Sequence, residues 1–291
     1  MIKFLQRRWK WLAAMMVFFL AFVVAGSWIA GSVLCAPSHR SIPVPTDLAV
    51  EPVSFSSVSG ATLRGWLVAG ATNRGVVILQ HGVRANRLEM LGRARLFSRA
   101  GYTVLLYDFQ AHGESTGEKI TFGFLESRDA QAAVAFVKQQ FPGRPIAVVG
   151  VSLGAAAAAL AQPPLAVQAL VLEMAYPTIV EATKDRFEIH LGLLGRCLSP
   201  LLTAQLKLRT GAGVDDLRPI AQVAQITAPK LFLAGTEDKH TKFSEAEAIF
   251  RQAAEPKLFV PFPGAHHEDL IRFDPAQYQK VVLEFLEEHL P

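Results

Sequence analysis

Ser152 is the residue in this chain best placed for covalent chemistry. It sits in Gly150-Val151-Ser152-Leu153-Gly154, a G-x-S-x-G pentapeptide. The run before it, Pro145 to Val149, is apolar and rich in β-branched side chains, which reads as a buried strand. The run after it, Ala155 to Ala159, is all alanine and reads as a helix. Strand must turn into helix almost at once, which strains the corner residue. Glycines two positions on either side let neighbouring backbone come close, so the hydroxyl stands clear of the sheet edge. The free N–H groups at the helix start then face whatever the serine attacks. A glycine-containing turn with an incidental serine is the alternative; the flanking strand and helix count against it.

A serine at its ordinary pKa is a poor nucleophile. It needs a base, and the base needs an orienting carboxylate. Both types occur later in the chain, each just beyond an apolar run. Asp238 lies in Gly235-Thr236-Glu237-Asp238, with Glu237 beside it, and His267 lies in Gly264-Ala265-His266-His267-Glu268-Asp269-Leu270, with His266 beside it.

The elements that must position these groups follow from pattern. Val53-Ser54-Phe55 and Leu63 to Val68 bracket Ser59-Gly60 and read as an antiparallel pair. From Gly75 the rhythm is strand, loop, helix. Apolar runs at Val76–Leu79, Tyr102–Phe109, Ala169–Met174, Lys230–Gly235 and Leu258–Phe262 join the serine strand. Between or after them fall helices expected from Asn86, as cap, to Ala100, and at about 125–140, 244–253 and 275–288. Continuously apolar strands separated by helices predict an α/β fold: a mostly parallel sheet covered on both faces, with reactive groups at the strands' carboxyl ends. Residues of about 176–225 interrupt this alternation with apolar, strandless sequence, read as a helical insertion that can lie over the serine as a lid. A peripheral helical hairpin is the plainer reading of the same stretch.

The 291 residues suffice for one sizeable core. The net charge of +4 comes entirely from Lys3, Arg7, Arg8 and Lys10, leaving 25 charges of each sign over the rest. The basic balance therefore belongs to one end and is not a nucleic-acid-binding face. Residues 1–10 read as a cytoplasmic basic tail. Residues 11–34 carry no charge and are long enough to cross a bilayer, so they read as an uncleaved transmembrane anchor. The folded domain would then be extracytoplasmic, in the periplasm if the source is a Gram-negative bacterium. A cleaved signal peptide cut near Ala30-Gly31-Ser32 is the rival. Residues 35–52 hold Pro37, Pro43, Pro45 and Pro52 and read as an extended linker off the membrane. Residues 53–291 are the folded domain. Cys35 and Cys197 are expected to be free thiols.

Four blocks carry a family likeness: Leu79-Gln80-His81-Gly82; Asp108 with His112-Gly113-Glu114-Ser115-Thr116-Gly117; the serine pentapeptide; and Gly264 to Leu270. Thr121-Phe122-Gly123, Glu126 and Asp129 add to it. The chain resembles the α/β-hydrolases over about residues 50–290, in the branch of serine aminopeptidase-like and Bem-like membrane-anchored hydrolases. The resemblance implies Ser152 as nucleophile, Asp238 as orienter and His267 as base, in that chain order. The family's last block usually reads Gly-Ala-Gly-His, so His266 stands where a glycine is usual. The resemblance also implies an oxyanion hole from the backbone N–H groups of Val83 and Leu153.

Other polar residues get structural roles. His81 is expected to order the loop under the oxyanion hole, and Asp108 and His112 to tie a turn. Asp129 is read as a partner of that turn or a solvated helix face, and Gln80 and Asn86 as loop ties or caps. Glu173 and Tyr176 either touch substrate or tie a strand end. His240 is read as solvated surface. The activity implied is acyl (ester or thioester) hydrolysis on a small or lipid-like substrate, without cofactor or metal. A peptidase and a non-catalytic acyl- or partner-binding scaffold are the alternatives. A dehalogenase is disfavoured because the corner holds serine rather than aspartate.

Overall fold

The structure, a computed structural model, describes residues 2–72 and 74–290, with side chains from residue 6 onward. It opens with a long helix, α1 (Ile2–Cys35), followed by a two-residue strand, β1 (Ser38–His39). Then come β2 (Glu51–Ser56), β3 (Thr62–Val68), β4 (Val76–Gln80), α2 (Leu91–Arg99), β5 (Thr103–Tyr107) and the short β6 (His112–Gly113). The middle holds α3 (Phe124–Gln140), β7 (Ile146–Val151), α4 (Leu153–Leu160) and β8 (Ala169–Glu173). The insertion supplies α5 (Ile179–Thr203), α6 (Leu206–Thr210) and α7 (Pro219–Gln222). The chain closes with β9 (Lys230–Gly235), α8 (Phe243–Gln252), β10 (Lys257–Phe262), α9 (Leu270–Phe273) and α10 (Pro275–His289).

Eight strands form one sheet in the order β10-β9-β8-β7-β4-β5-β3-β2. All pairings are parallel except β2 with β3 and β3 with β5. Alternate side chains of the central strands feed two cores. Val76, Ile78, Ile146 and Val148 pack with α3 and α4, whereas Val77, Leu79, Ala147 and Val149 pack with α2 and α10. Burial on both faces explains the unbroken apolar runs. This is the α/β-hydrolase fold, with the carboxyl ends of β4, β7, β8, β9 and β10 sharing one rim.

Helix ends within the strand-helix alternation fall within two residues of expectation, whereas the N-terminal helix, expected over residues 11–34, runs Ile2–Cys35 and takes in the basic tail. The helix expected from Asn86 begins instead as a 3-10 turn at Arg87–Met90, capped by Asn86 Oδ1, which accepts from Leu88 N–H at 3.0 Å. The segment read as a tether is extended but docked. Ser38 N–H donates to Ala111 O (2.7 Å), β1 pairs with β6, and Ile42 is buried with its N–H on Glu114 Oε1 (3.1 Å). Paired backbone and a buried isoleucine hold it against the domain.

The insertion contains no strand and is helical. Helix α5 is broken at Gly192 (φ 59°, ψ −147°). Its first half is fastened to the core by Lys242 Nζ, 2.7 Å from Asp185 Oδ1 and 3.0 Å from Glu188 Oε2. Its far side meets the last turns of α1, where Gln205 Nε2 donates to Ser27 Oγ (2.7 Å).

Candidate active site

Ser152 occupies the corner between β7 and α4 with φ 51° and ψ −104°. A non-glycine residue there costs about 1–3 kcal/mol, which the surrounding structure must offset. Both motif glycines are required by close approach. A Cβ on Gly150 would lie 2.5 Å from Gly154 C, and one on Gly154 would lie 2.3 Å from Gln80 O. The corner is held further by Ser152 N–H on Glu173 O (2.8 Å). Leu153 opens α4, so its N–H has no partner within the helix and is available at the rim.

Two turns beyond the late strands meet at the same rim. His267 Nδ1 lies 2.7 Å from Asp238 Oδ2, while Asp238 Oδ1 accepts from the N–H groups of His240 (2.7 Å) and Thr241 (2.9 Å). A carboxylate only accepts, so the His267 proton sits on Nδ1 and Nε2 carries the free lone pair. His266 is exposed and turns Nδ1 toward Glu237 O at 3.0 Å. Glu237 is exposed and Asp238 buried. Of the four rival groups, the pair in contact is His267 and Asp238.

Ser152 borders two cavities. One, of ≈ 260 Å³, is mainly apolar and runs past Leu153, Tyr176, Phe187 and Leu206 to Leu34 of α1. The other, of ≈ 170 Å³, has an even mix of polar and apolar walls, including Glu89, Arg93, Asp269 and His267. Val83 and Arg186 border both.

The loop carrying Val83 is locked from below. His81 Nε2 accepts from Phe109 N–H (3.1 Å), so its Nδ1–H donates to Gly82 O (2.7 Å). Complete burial pushes the His81 pKa down to about 3 and keeps the ring neutral. Gly82 N–H donates to Glu89 Oε2 (2.6 Å). His112 Nε2 accepts from Arg84 N–H (3.0 Å) and its Nδ1–H donates to Gln110 O (2.8 Å). Asp108 accepts from Arg87 N–H (2.7 Å) and Glu114 N–H (2.9 Å) and pairs with the Arg87 guanidinium. Asp129 is buried, not solvated, and accepts from Ser59 Oγ (2.6 Å) and Gln110 N–H (2.9 Å). Burial raises its pKa to about 7. Gln80 is tied by its Nε2 to Tyr107 Oη (3.1 Å).

Glu173 is a structural tie. Its carboxylate holds Arg93 at 2.8 and 2.5 Å and accepts from Tyr278 Oη at 2.6 Å, and Arg93 reaches on to Asp269 at 2.8 Å. One arginine thus joins α2, β8, α10 and the histidine turn. Tyr176 donates to Phe122 O (2.8 Å) and also lines the apolar cavity.

Three site features escape the sequence reading. His240 is not solvated surface: it is half-buried, lines the apolar cavity, and its ring centroid is 5.2 Å from that of His267. Burial and the nearby Arg186 push its pKa down. Its position two residues after Asp238 was the available signal, since a turn there must fold back on the carboxylate. Arg186, in the insertion, lines both cavities with Ser152 and has no carboxylate within 4.0 Å among the described residues. Nothing local marks it. The third is the end of α1, where Gly31, Leu34 and Cys35 wall the apolar cavity.

Residues 71–209 match the family described as serine aminopeptidase, S33. That span holds the serine corner but neither Asp238 nor His267. The chain is 29% identical to YqkD of Bacillus subtilis, over 79% of this chain and 77% of that protein. It is also 29% identical to the α/β-hydrolase domain-containing protein WAV2 of Arabidopsis thaliana, over 87% of this chain and 84% of the other. Among solved structures it resembles the Pyrococcus furiosus esterase Pf2001, with TM-score 0.72, 22% identity, and coverage of 88% of this chain and 99% of that one. It also resembles the Penicillium α/β-hydrolase GrgF, with TM-score 0.67, 20% identity, and coverage of 84% and 99%.

Proposed function

We propose that this chain, a member of the α/β-hydrolase superfamily, is a membrane-anchored serine hydrolase that cleaves an acyl ester or thioester. The coarser reading, an ester-type hydrolase, has the support of the family match and of the esterase fold neighbour. The single observation that carries the finer one is the placement of Ser152 between an apolar and a polar cavity, with the His267–Asp238 pair on the polar side. An apolar acyl chain suits the first cavity and a polar leaving group the second.

In the reaction, Ser152 Oγ attacks the acyl carbonyl carbon and its proton passes to His267 Nε2. Asp238 holds the resulting imidazolium through Nδ1–H. The N–H groups of Val83 and Leu153 receive the oxyanion. The tetrahedral adduct collapses, the bond to the leaving oxygen or sulfur breaks, and that atom takes the proton from His267. Water then attacks the acyl-enzyme, gives its proton to His267, and the carboxylic acid leaves as Ser152 regains its hydrogen. No step calls on a cofactor or metal.

The N-terminal helix is proposed to stay attached, with the basic tail cytoplasmic and the domain outside. Helix α1 is long and apolar enough to span a membrane by composition. Its last two turns contribute wall to the apolar cavity, and removal at a signal site would open that wall.

Labelling with a fluorophosphonate, beside Ser152→Ala, tests the nucleophile. Wild type is expected to label and the variant not. p-Nitrophenyl esters of rising chain length should be turned over in preference to aminoacyl amides. Preference for the amides would favour a peptidase, and labelling of neither protein would favour a binding scaffold.

A further inference from the structure

The roof of the apolar cavity is built by the cap and the N-terminal helix together, and the contacts between them are polar and specific. Gln205 Nε2 donates to Ser27 Oγ (2.7 Å), Arg209 Nη1 donates to Ser32 Oγ (2.9 Å), and the Arg209 guanidinium lies 4.1 Å over the Trp28 ring. From the core side, Arg84 Nη1 donates to Val33 O (3.0 Å) and Ile120 N–H to Cys35 O (2.9 Å). Residues 27–35 of α1 are therefore fixed to the domain, whereas residues 6–22 are exposed at every position.

Bilayer thickness sets the depth. A hydrocarbon core of about 30 Å takes about 20 helical residues. Counted from the first uncharged residue, Trp11, such a span ends near Ala30. That level coincides with the Trp28–Arg209 stack, an aromatic and a cation at the position where interfacial anchors sit. The cap helices that hold α1 must then rest on the membrane surface. Those helices carry exposed leucines that no core needs: Leu193 and Leu194 beside the Gly192 break, 77% and 64% exposed, and Leu208 on α6, 76% exposed. Leu208 adjoins Arg209, which holds the membrane-spanning helix at that level, and this identifies lipid, rather than a protein, as the occupant of the exposed leucines.

We propose that the cap lies in the bilayer surface with Leu193, Leu194 and Leu208 immersed, and that the apolar cavity takes a single-chain acyl amphiphile directly from the membrane. The substrate half of this proposal rests on the acyl-hydrolase reading. The cavity's ≈ 260 Å³ falls just below the span of about 300–1,000 Å³ usual for drug-sized ligands, which favours one chain over two. Val83, Ser152 and Leu153 wall it together with Gly31 and Leu34 of α1. An acyl chain can thus pass from the leaflet to the serine without crossing water.

The two halves are tested separately on the full chain in phosphatidylcholine nanodiscs. In a Cys35→Ala, Cys197→Ser background, Leu194→Cys carries a nitrobenzoxadiazole probe, and Leu258→Cys, on the edge strand near its amino end, serves as the distant control. Lipids spin-labelled near the headgroup should quench the probe at 194 at least threefold more than the probe at 258; equal quenching overturns the immersed cap and points to a protein partner for the leucines. Separately, the double variant Leu193→Asp, Leu194→Asp should keep p-nitrophenyl acetate turnover within twofold and lose at least tenfold on a long-chain monoacylglycerol held in the bilayer. Unchanged turnover of the bilayer substrate overturns delivery from the membrane. If wild type turns over neither ester, the acyl-hydrolase reading fails and the substrate with it, while the quenching result still decides where the cap lies.

Discussion

The floor and the roof of the candidate site are built on opposite terms. In the floor, nearly every polar group near Ser152 is buried and bonded: Glu173 to Arg93 and Tyr278, His81 to Phe109 and Gly82, Asp108 to Arg87 and Glu114. In the roof, α5 breaks at Gly192, leucines face outward, and Arg186 has no carboxylate partner among the described residues. A densely bonded buried network in low dielectric favours one geometry. A cap broken at a glycine can shift to admit and release a chain. Under the proposed function, chemistry belongs to the floor and substrate choice to the roof.

The sharpest way to break that division is at the histidine turn. His267→Ala is expected to lower kcat/KM on a short ester at least a thousandfold, about 4 kcal/mol of transition-state stabilisation. His266→Ala, which removes an exposed ring turned toward the Glu237 carbonyl, should stay within about threefold. Reversed results would move the base to the other imidazole.

Stability separates the two regions next. Arg93→Leu leaves the Glu173 carboxylate buried without its ion-pair partner, and urea unfolding should register a loss of about 3–5 kcal/mol. Leu193→Ser in the roof should change stability by no more than about 0.5 kcal/mol. A large loss from the roof substitution would mean that the cap is part of the core.

Specificity should respond in the opposite sense. Thr183 lines the apolar cavity from α5, so Thr183→Phe fills it. Hydrolysis of long-chain p-nitrophenyl esters is expected to fall about tenfold while the acetate ester stays within twofold. An equal fall for both would place Thr183 with the floor.

The smallest effect concerns the junction between them. Burial beside Asp185 raises the Glu245 pKa to about 8 from an ordinary 4.5. The folded state therefore holds a proton that the unfolded chain releases, and stability from this group is present at low pH and lost as pH rises from about 4.5 through 8. Melting temperatures between pH 5 and 9 should decline less in Glu245→Gln than in wild type. An unchanged slope would exclude Glu245 as the titrating group.

The comparison also marks where the sequence was readable. The strands around Ser152 were legible because burial on both faces demands unbroken apolar runs, and the serine corner because two glycines are forced by backbone approaching within 2.3 and 2.5 Å of where a Cβ would sit. Asp129 was only half legible: a carboxylate on a helix reads as solvated until its partners Ser59 and Gln110 are seen. Arg93 gave no sign at all, since its partners lie 80, 176 and 185 residues away.

Sequence by itself determined the α/β layering, the strand-to-helix corner at Ser152, and an N-terminal helix able to span a membrane. Each follows from local periodicity or from a short-range steric demand. Tertiary structure alone decided that His240 and Arg186 enter the site and that the end of α1 walls the cavity, and it set against Asp238 the histidine that the family likeness implied, His267. Those outcomes depend on where separate turns and helices dock, and docking is set by contacts between residues far apart in the chain, which leave no periodic trace in it.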